Sequence, residues 1–139
     1  MRQRRIIIYG HGDTTQEGFP TEDHIKDYIA GEIFRKYGGR YQYSQQKLAD
    51  IILLSRNGSI YGHFKIERAE KPNETDKKDY PPVRKTYIVN ESASYEKPVA
   101  LSALNIQQIQ FGKSISEEEF EAIKKLAGTI KTINSNNFS

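Results

Sequence analysis

A hairpin signature is the feature of this sequence that most narrows the fold. Residues 49–72 read ADIILLSRNGSIYGHFKIERAEKP. The apolar run from Ile51 to Leu54 predicts a strand that is buried on both faces. Asn57 and Gly58 predict a tight turn, because both residue types accept the positive φ that such turns require. From Ile60 to Glu67, residues alternate, which predicts a returning antiparallel strand with one packed face and one exposed face.

Further strands and two helices surround this hairpin. The β-branched run from Arg4 to Tyr9 predicts a first strand that ends in a glycine-containing loop. Thr21 has the position of an N-cap, and the helix after it ends at Gly38–Gly39. Ser116 and Glu119 have the spacing of a capping box ahead of another helix. This order predicts an α+β domain built around a small, mostly antiparallel sheet or open barrel.

The length and the connecting segments indicate how the domain is organised. With 139 residues, the chain suits a single domain over 1–139. Residues 69–82 are charged and contain proline, which predicts a long surface excursion. The segment 85–89 predicts a strand, and the small residues of 90–98 predict a loop. Residues 131–139 carry no packing signal, and we expect this tail to fray.

Composition excludes several classes of protein. The absence of cysteine excludes disulfides, thiolate zinc sites and cysteine nucleophiles. The net charge of +3 permits a polyanionic partner without requiring one. No apolar stretch approaches the roughly 20 residues that a membrane span needs, and the apolar start is too short for a signal peptide. We therefore expect a cytoplasmic protein.

Catalytic signatures are weak. His11 lies two residues before Asp13, and such a pair could act as acid and base or bind a metal. The sequence contains no nucleophile elbow, phosphate loop or dinucleotide fingerprint, and the acid-x-lysine pattern of nucleases fails. We predict no catalytic residue, metal or cofactor. A small hydrolase that uses the His11–Asp13 loop with Lys65 stays open as an alternative, as does a protein-interaction domain.

The residue types support ligand recognition better than they support catalysis. The chain has nine tyrosines and no tryptophan, and several tyrosines fall at the ends of predicted elements. A tyrosine at such a position can wall a pocket for a flat ring while its hydroxyl contacts the ring edge. The candidates are Tyr41, Tyr43 and Tyr95. Basic residues near element ends would contact phosphates if they converge. These candidates are Arg2, Arg40, Arg68 and Lys85.

The order of features from residue 4 to residue 127 resembles the PUA-like superfamily, and within it the EVE and ASCH domains. In those domains a strand opens with an acidic residue and turns back into a strand that carries a glycine. A later strand ends near a proline followed by apolar residues. Asp50, Gly62 and the segment KPVALSAL at 97–104 match this layout. Ala49 stands where these domains usually have glycine, and their tryptophans are absent.

The resemblance implies a small open β-barrel flanked by helices, with a pocket at one mouth. Members of the superfamily bind RNA or DNA, often at a flipped, modified base, and some are fused to nucleases. By this resemblance, the pocket is lined by the ends of two strands, at Tyr9, Gly10, His11, Ser55 and Arg56. Asp50 is expected to be structural and to hold a turn. We therefore hypothesise a nucleic-acid-binding module for DNA or RNA that recognises a modified or flipped base. It has no catalysis of its own, and a fused or separate nuclease is a candidate partner.

Overall fold

A computed structural model describes residues 4–11, 19–43, 49–106 and 112–134 of the chain. The strands are β1 (Ile6–His11), β2 (Arg40–Tyr43), β3 (Ile51–Arg56), β4 (Ser59–Glu70), β5 (Lys85–Ala100), β6 (Lys113–Ile115) and β7 (Ile130–Asn134). The α-helices are α1 (Glu22–Asp27), α2 (Ile33–Tyr37), α3 (Glu74–Asp79) and α4 (Glu117–Leu126). A π-helical segment, Tyr28–Glu32, joins α1 to α2, and a 3-10 helix, Leu101–Leu104, follows β5.

All of these strands belong to one sheet that curls into an open half-barrel. Its order is β2-β5-β4-β3-β1-β6, and β7 pairs with β5 outside this path. The β1–β3 pair is parallel, and every other pairing is antiparallel. The α+β fold class with a mostly antiparallel open barrel is therefore confirmed. The parallel pair exists because the α1–α2 region carries the chain across the sheet between β1 and β3.

Two hydrophobic cores lie on the two faces of the sheet. Alternate residues of β1 point to opposite faces, so that Ile7 joins one core and Ile8 joins the other. The first core lies under α1 and α2 and includes Ile29 and Phe64, whereas the second lies under α4 and includes Phe120. Burial on both faces explains the continuous apolar sequence of β3, as predicted.

The predicted hairpin turn is confirmed, but half of the predicted exposed face of its second strand is buried. Asn57 and Gly58 adopt φ values of 49° and 80°. In β4, however, Tyr61 and His63 are buried, with 8% and 3% of their surfaces exposed. The ring of His63 packs edge-on against Phe120 of α4. Helices cover both faces of the sheet at Tyr61 and His63, whereas Lys65 and Glu67, further along β4, are exposed as predicted.

The predictions for three irregular segments also need correction. Residues 90–98 are not a loop but lie within the continuous strand β5. Their small side chains allow close packing, since Ser92 Oγ donates a 2.6 Å hydrogen bond to the Ile29 carbonyl. Residues 131–134 do not fray, because β7 pairs with β5, while residues 135–139 lie outside the described part. The excursion 69–82 contains α3, which begins with a capping box formed by Asn73 and Asp76.

The predicted helix starts are confirmed, and Asp50 has a structural role, but it joins two strands where the prediction was that it holds a turn. Thr21 Oγ1 accepts a hydrogen bond from the His24 amide, and Ser116 forms the expected capping box. The Asp50 carboxylate accepts a 2.7 Å hydrogen bond from the Arg5 amide, which ties the start of β3 to the start of β1. Among the described helices, none combines the length and the hydropathy that a bilayer crossing demands.

Candidate functional site

The parallel pairing of β1 and β3 places their carboxyl ends side by side. Gly10 pairs with Ser55, and His11 pairs with Arg56. Ser55 is buried, and its hydroxyl donates a 3.0 Å hydrogen bond to the Tyr9 carbonyl. The structure therefore brings together the five residues that the resemblance assigned to the pocket. They belong to two strands that are more than forty residues apart in sequence.

Both ring nitrogens of His11 have partners at this edge. Nδ1 lies 3.2 Å from the Ser55 carbonyl, and Nε2 lies 2.6 Å from the Tyr41 hydroxyl. Because a carbonyl can only accept, Nδ1 carries the proton and Nε2 accepts from the tyrosine. Burial lowers the pKa of His11 to about 4, although hydrogen bonds to the Ser55 and Tyr9 backbone oppose this shift. His11 is therefore neutral at pH 7 and offers a fixed pattern of hydrogen bonds.

Tyr41 and Tyr43 of β2 complete an aromatic cluster around His11. Its members are Tyr9, His11, Phe19, Tyr28, Tyr41 and Tyr43. Tyr9 and Tyr41 are buried and form its floor, whereas His11 and Tyr43 are partly exposed. The ring centroids of Tyr9 and Tyr43 are 4.2 Å apart. Burial, and after it the nearby Tyr80 hydroxyl, raise the pKa of Tyr43 to about 12, so its hydroxyl remains a donor at neutral pH.

The Arg56 guanidinium binds backbone carbonyls next to the aromatic cluster. Its Nε donates a 2.6 Å hydrogen bond to the Phe19 carbonyl, and its Nη2 donates a 2.9 Å bond to the Pro20 carbonyl. These bonds hold the segment that leads into α1 against the end of β3. Sequence reasoning did not single out Phe19, whose ring lies 5.3 Å from that of His11. The aromatic residue just before Pro20 and the Thr21 cap was the available signal.

The four basic residues that were predicted to contact phosphates have different surroundings. Arg40 Nη2 and Nη1 form 2.7 Å ion pairs with Asp76 and Glu70. Arg68 pairs with Glu67 and with Glu70. Lys85, by contrast, lies directly opposite Tyr43 in the β2–β5 ladder. Arg2 lies outside the described residues. The structure thus brings Lys85 next to the aromatic cluster, whereas acidic neighbours engage Arg40 and Arg68.

Tyr95 lies in the second core and is not brought to the aromatic cluster. It is 6% exposed, and its hydroxyl lies 2.7 Å from Nδ1 of His63. Burial, together with nearby cations, lowers the pKa of His63 to about 3. Tyr95 also lines a cavity of about 370 Å³ between the α1 region and β5. We therefore leave Tyr95 out of the site around His11.

The residues of the hydrolase alternative do not assemble in the described structure. Lys65 pairs with Ile51 in the β3–β4 ladder and forms a 3.2 Å ion pair with Glu91. His11 instead pairs with Arg56, five residues further along β3, which corresponds to roughly 17 Å. Asp13 lies outside the described residues. Within the described ranges, no group of three or more acidic, histidine or cysteine side chains is placed to hold a metal ion.

Comparison with known proteins gives structural relatives only. No protein-family model matches the sequence, and no curated protein matches it. The structure of a serine-to-alanine mutant of the Zymomonas mobilis ASCH protein superposes with a TM-score of 0.63 at 12% identity, covering 92% of this chain and 100% of that one. The YTH domain of Zygosaccharomyces rouxii MRB1, in complex with N6-methyladenosine RNA, superposes with a TM-score of 0.50 at 14% identity, covering 93% and 90%. The resemblance seen in the sequence is confirmed at the level of fold, since this chain shares the fold of an ASCH protein and of a YTH domain.

Proposed function

We propose that this chain is a nucleic-acid-binding module that receives an extruded, modified base of DNA or RNA at the aromatic cluster. One observation carries the proposal. His11 and Tyr43 are partly exposed above a floor of buried tyrosines, where the ends of β1, β2 and β3 meet. An aromatic surface with fixed hydrogen-bonding groups at its edge is the kind of site that accepts a flipped base.

The proposed roles follow from the geometry of each side chain. The exposed part of the Tyr43 ring would stack on the base, a contact worth about 1–3 kcal/mol. The Tyr43 hydroxyl would contact the polar edge of the base. His11 would position the cluster, because its ring nitrogens already bind the Ser55 carbonyl and the Tyr41 hydroxyl. Ser55 and Arg56 would act indirectly, because their donors already hold the Tyr9, Phe19 and Pro20 carbonyls. A module of this kind supplies recognition only, so cleavage would come from a fused or separate nuclease.

The structural relatives support this proposal in general terms. The YTH domain that shares the fold was crystallised with RNA that carries a methylated adenine. The site proposed for this chain is built from tyrosine and histidine. Stacking on tyrosine tolerates any base, since every base has a π face. Selectivity for a modification would then come from the groups around Tyr43 and His11.

Fluorescence anisotropy with short oligonucleotides tests the proposal. The probes would be single- and double-stranded DNA and RNA, each with and without N6-methyladenine, 5-methylcytosine and 5-hydroxymethylcytosine. We expect tighter binding to one modified probe, and a loss of about 5- to 100-fold in affinity for Tyr43→Ala, from the stacking energy. Tyr43→Phe should retain most of the stacking and therefore most of the affinity.

Tyr37→Ala is the matched control, since Tyr37 is a partly buried tyrosine of the same core at the end of α2. It should bind like the wild-type protein if the effect of Tyr43 is specific. Equal affinity of Tyr43→Ala and wild-type protein for the preferred probe would contradict the assigned site. Failure of the wild-type protein to bind any probe would overturn the proposed function.

A further inference from the structure

Two basic residues, Arg84 and Lys85, lie at the start of β5, where their backbone is paired with Tyr43. Lys85 is the cross-strand partner of Tyr43, and the Arg84 amide donates a 2.9 Å hydrogen bond to the Tyr43 carbonyl. Directly paired residues of antiparallel strands have Cβ atoms about 5 Å apart. The backbone at Arg84 and Lys85 is thus fixed relative to the ring that we propose stacks on the base.

The strand register places Lys85 on the face of the sheet that carries the aromatic cluster. In the β2–β5 ladder, Tyr41 pairs with Tyr87 and Tyr43 pairs with Lys85, so these four residues share one face. That face carries the first core, to which both β2 tyrosines contribute. The intervening residues point to the opposite face, where Arg40, Gln42 and Thr86 contact Asp76. Lys85 is therefore directed to the side of the sheet that bears the aromatic cluster.

These two cations differ electrostatically from most basic residues near the sheet edge. Arg40 and Arg68 are neutralised by carboxylates, and Lys65 pairs with Glu91. Within the described ranges, neither Arg84 nor Lys85 forms an ion pair. Arg84 is exposed and Lys85 is partly exposed. Their charges are thus available to an anionic ligand that occupies the neighbouring site.

We infer that Arg84 and Lys85 bind the phosphates that flank the inserted base, an inference that rests on the proposed function. A base that leaves the stack brings its own phosphodiester links to the rim of the pocket. The arginine fork suits bidentate contact with one phosphate, and the lysine ammonium acts as a point charge on the next. These contacts fix the position of the strand without contributing to the choice of base.

The connection before β5 is ordered before any ligand arrives. Helix α3 is fixed to β2 and β5 from the reverse face by Asp76, which accepts hydrogen bonds from Arg40, Gln42 and Thr86. The Val83 amide bonds to the Tyr80 carbonyl, which closes a turn ahead of Arg84. A backbone that is already ordered loses little conformational entropy on binding, and this favours affinity.

The salt dependence of binding tests the inference separately from the base preference. Arg84→Gln/Lys85→Gln removes two charges at the site, and Lys97→Gln/Lys125→Gln removes two exposed charges elsewhere. With a single-stranded probe, each lost phosphate contact lowers the slope of log affinity against log salt by roughly 0.7. We expect the first variant to lose about 1.4 from the slope and at least tenfold in affinity at about 100 mM salt. The ratio of affinities for modified and unmodified probes should be unchanged.

The possible results separate the inference from the proposed function. If the Arg84→Gln/Lys85→Gln variant has the slope of the Lys97→Gln/Lys125→Gln variant while Tyr43→Ala still loses about 5- to 100-fold in affinity, the phosphate assignment is wrong and the base site stands. If the wild-type protein binds no probe, both fail. The conservative variant Lys85→Arg keeps both positive charges and should therefore retain the wild-type slope. This comparison separates the effect of lost charge from local misfolding.

Discussion

The carboxylate of Asp76 offers the sharpest test of how the sheet edge near the proposed site is held. Its side chain is 1% exposed and accepts hydrogen bonds from Arg40 Nε and Nη2, Gln42 Nε2, Thr86 Oγ1 and the Asn73 amide. The last of these is half of the capping box that begins α3. Asp76→Ala would therefore remove an ion pair, the acceptor of three neutral donors and half of a capping box in one step.

The cost of this substitution follows from the burial of the two charges. Removing one member of a buried ion pair typically costs about 3–5 kcal/mol. Arg40 retains 22% of its side-chain exposure and keeps its 2.7 Å pair with Glu70, which moves the value to the lower end. We therefore expect Asp76→Ala to lower the free energy of unfolding by about 3 kcal/mol. At roughly 4 °C per kcal/mol for a chain of this size, Tm should fall by about 12 °C.

Urea unfolding followed by far-UV circular dichroism measures this difference, with Asp79→Ala as the control. Asp79 is an exposed aspartate of the same helix, and its substitution should cost less than about 0.5 kcal/mol. Burial alone would raise the pKa of Asp76, but the Arg40 guanidinium and the other donors hold it well below the ordinary value of 3.8. The stabilisation is therefore complete above about pH 4 and is lost as the pH falls towards the folded-state pKa. Equal costs for Asp76→Ala and Asp79→Ala at neutral pH would refute the reasoning.

Two further predictions concern the packing of β4. A Cβ at position 62 would meet the Ala93 carbonyl oxygen and lie 2.9 Å from Ile29 Cγ2, so Gly62→Ala should lower stability by about 1–3 kcal/mol in urea unfolding; an unchanged midpoint would contradict this packing. His63 has a pKa of about 3 when folded and near 6.5 when unfolded, so the unfolded state binds more protons between these values. The free energy of unfolding should therefore fall by about 2 kcal/mol between about pH 7 and about pH 5 because of His63. His63→Asn should make the free energy of unfolding depend less on pH. An identical pH dependence in the variant would show that His63 is protonated in the folded state.

Local signals in the sequence predicted the elements that depend on neighbouring residues. The Asn57–Gly58 turn, the Thr21 cap and the Ser116 capping box all formed as predicted, because each is satisfied within about four residues. A structural role for Asp50 was also predicted, but in holding a turn, whereas its partner is the Arg5 amide at the start of β1. In that case the resemblance to a known family carried the prediction, and local chemistry did not.

Features that depend on distant packing could not be read from the sequence. Small residues at 90–98 look like a loop, but they allow β5 to pass under the helical segment at Ile29. His63 alternates with apolar residues and looks exposed, yet α4 covers it from more than fifty positions away. In both cases the same residue pattern is compatible with exposure and with close burial, and only the tertiary neighbour decides between them.

The proposed site shows how strand register selects among residues that the sequence presents as equivalent. Arg40 and Lys85 are both basic residues at strand ends, and nothing in their local sequence separates them. Pairing of Tyr43 with Lys85 places this lysine on the face of the aromatic cluster and sends Arg40 to the other face, towards Asp76. A slip of one residue would exchange the two faces. The buried carboxylate of Asp76 opposes such a slip, because it would then lose the guanidinium that compensates its charge. The network on one face of β2 therefore fixes which side chains are presented on the other.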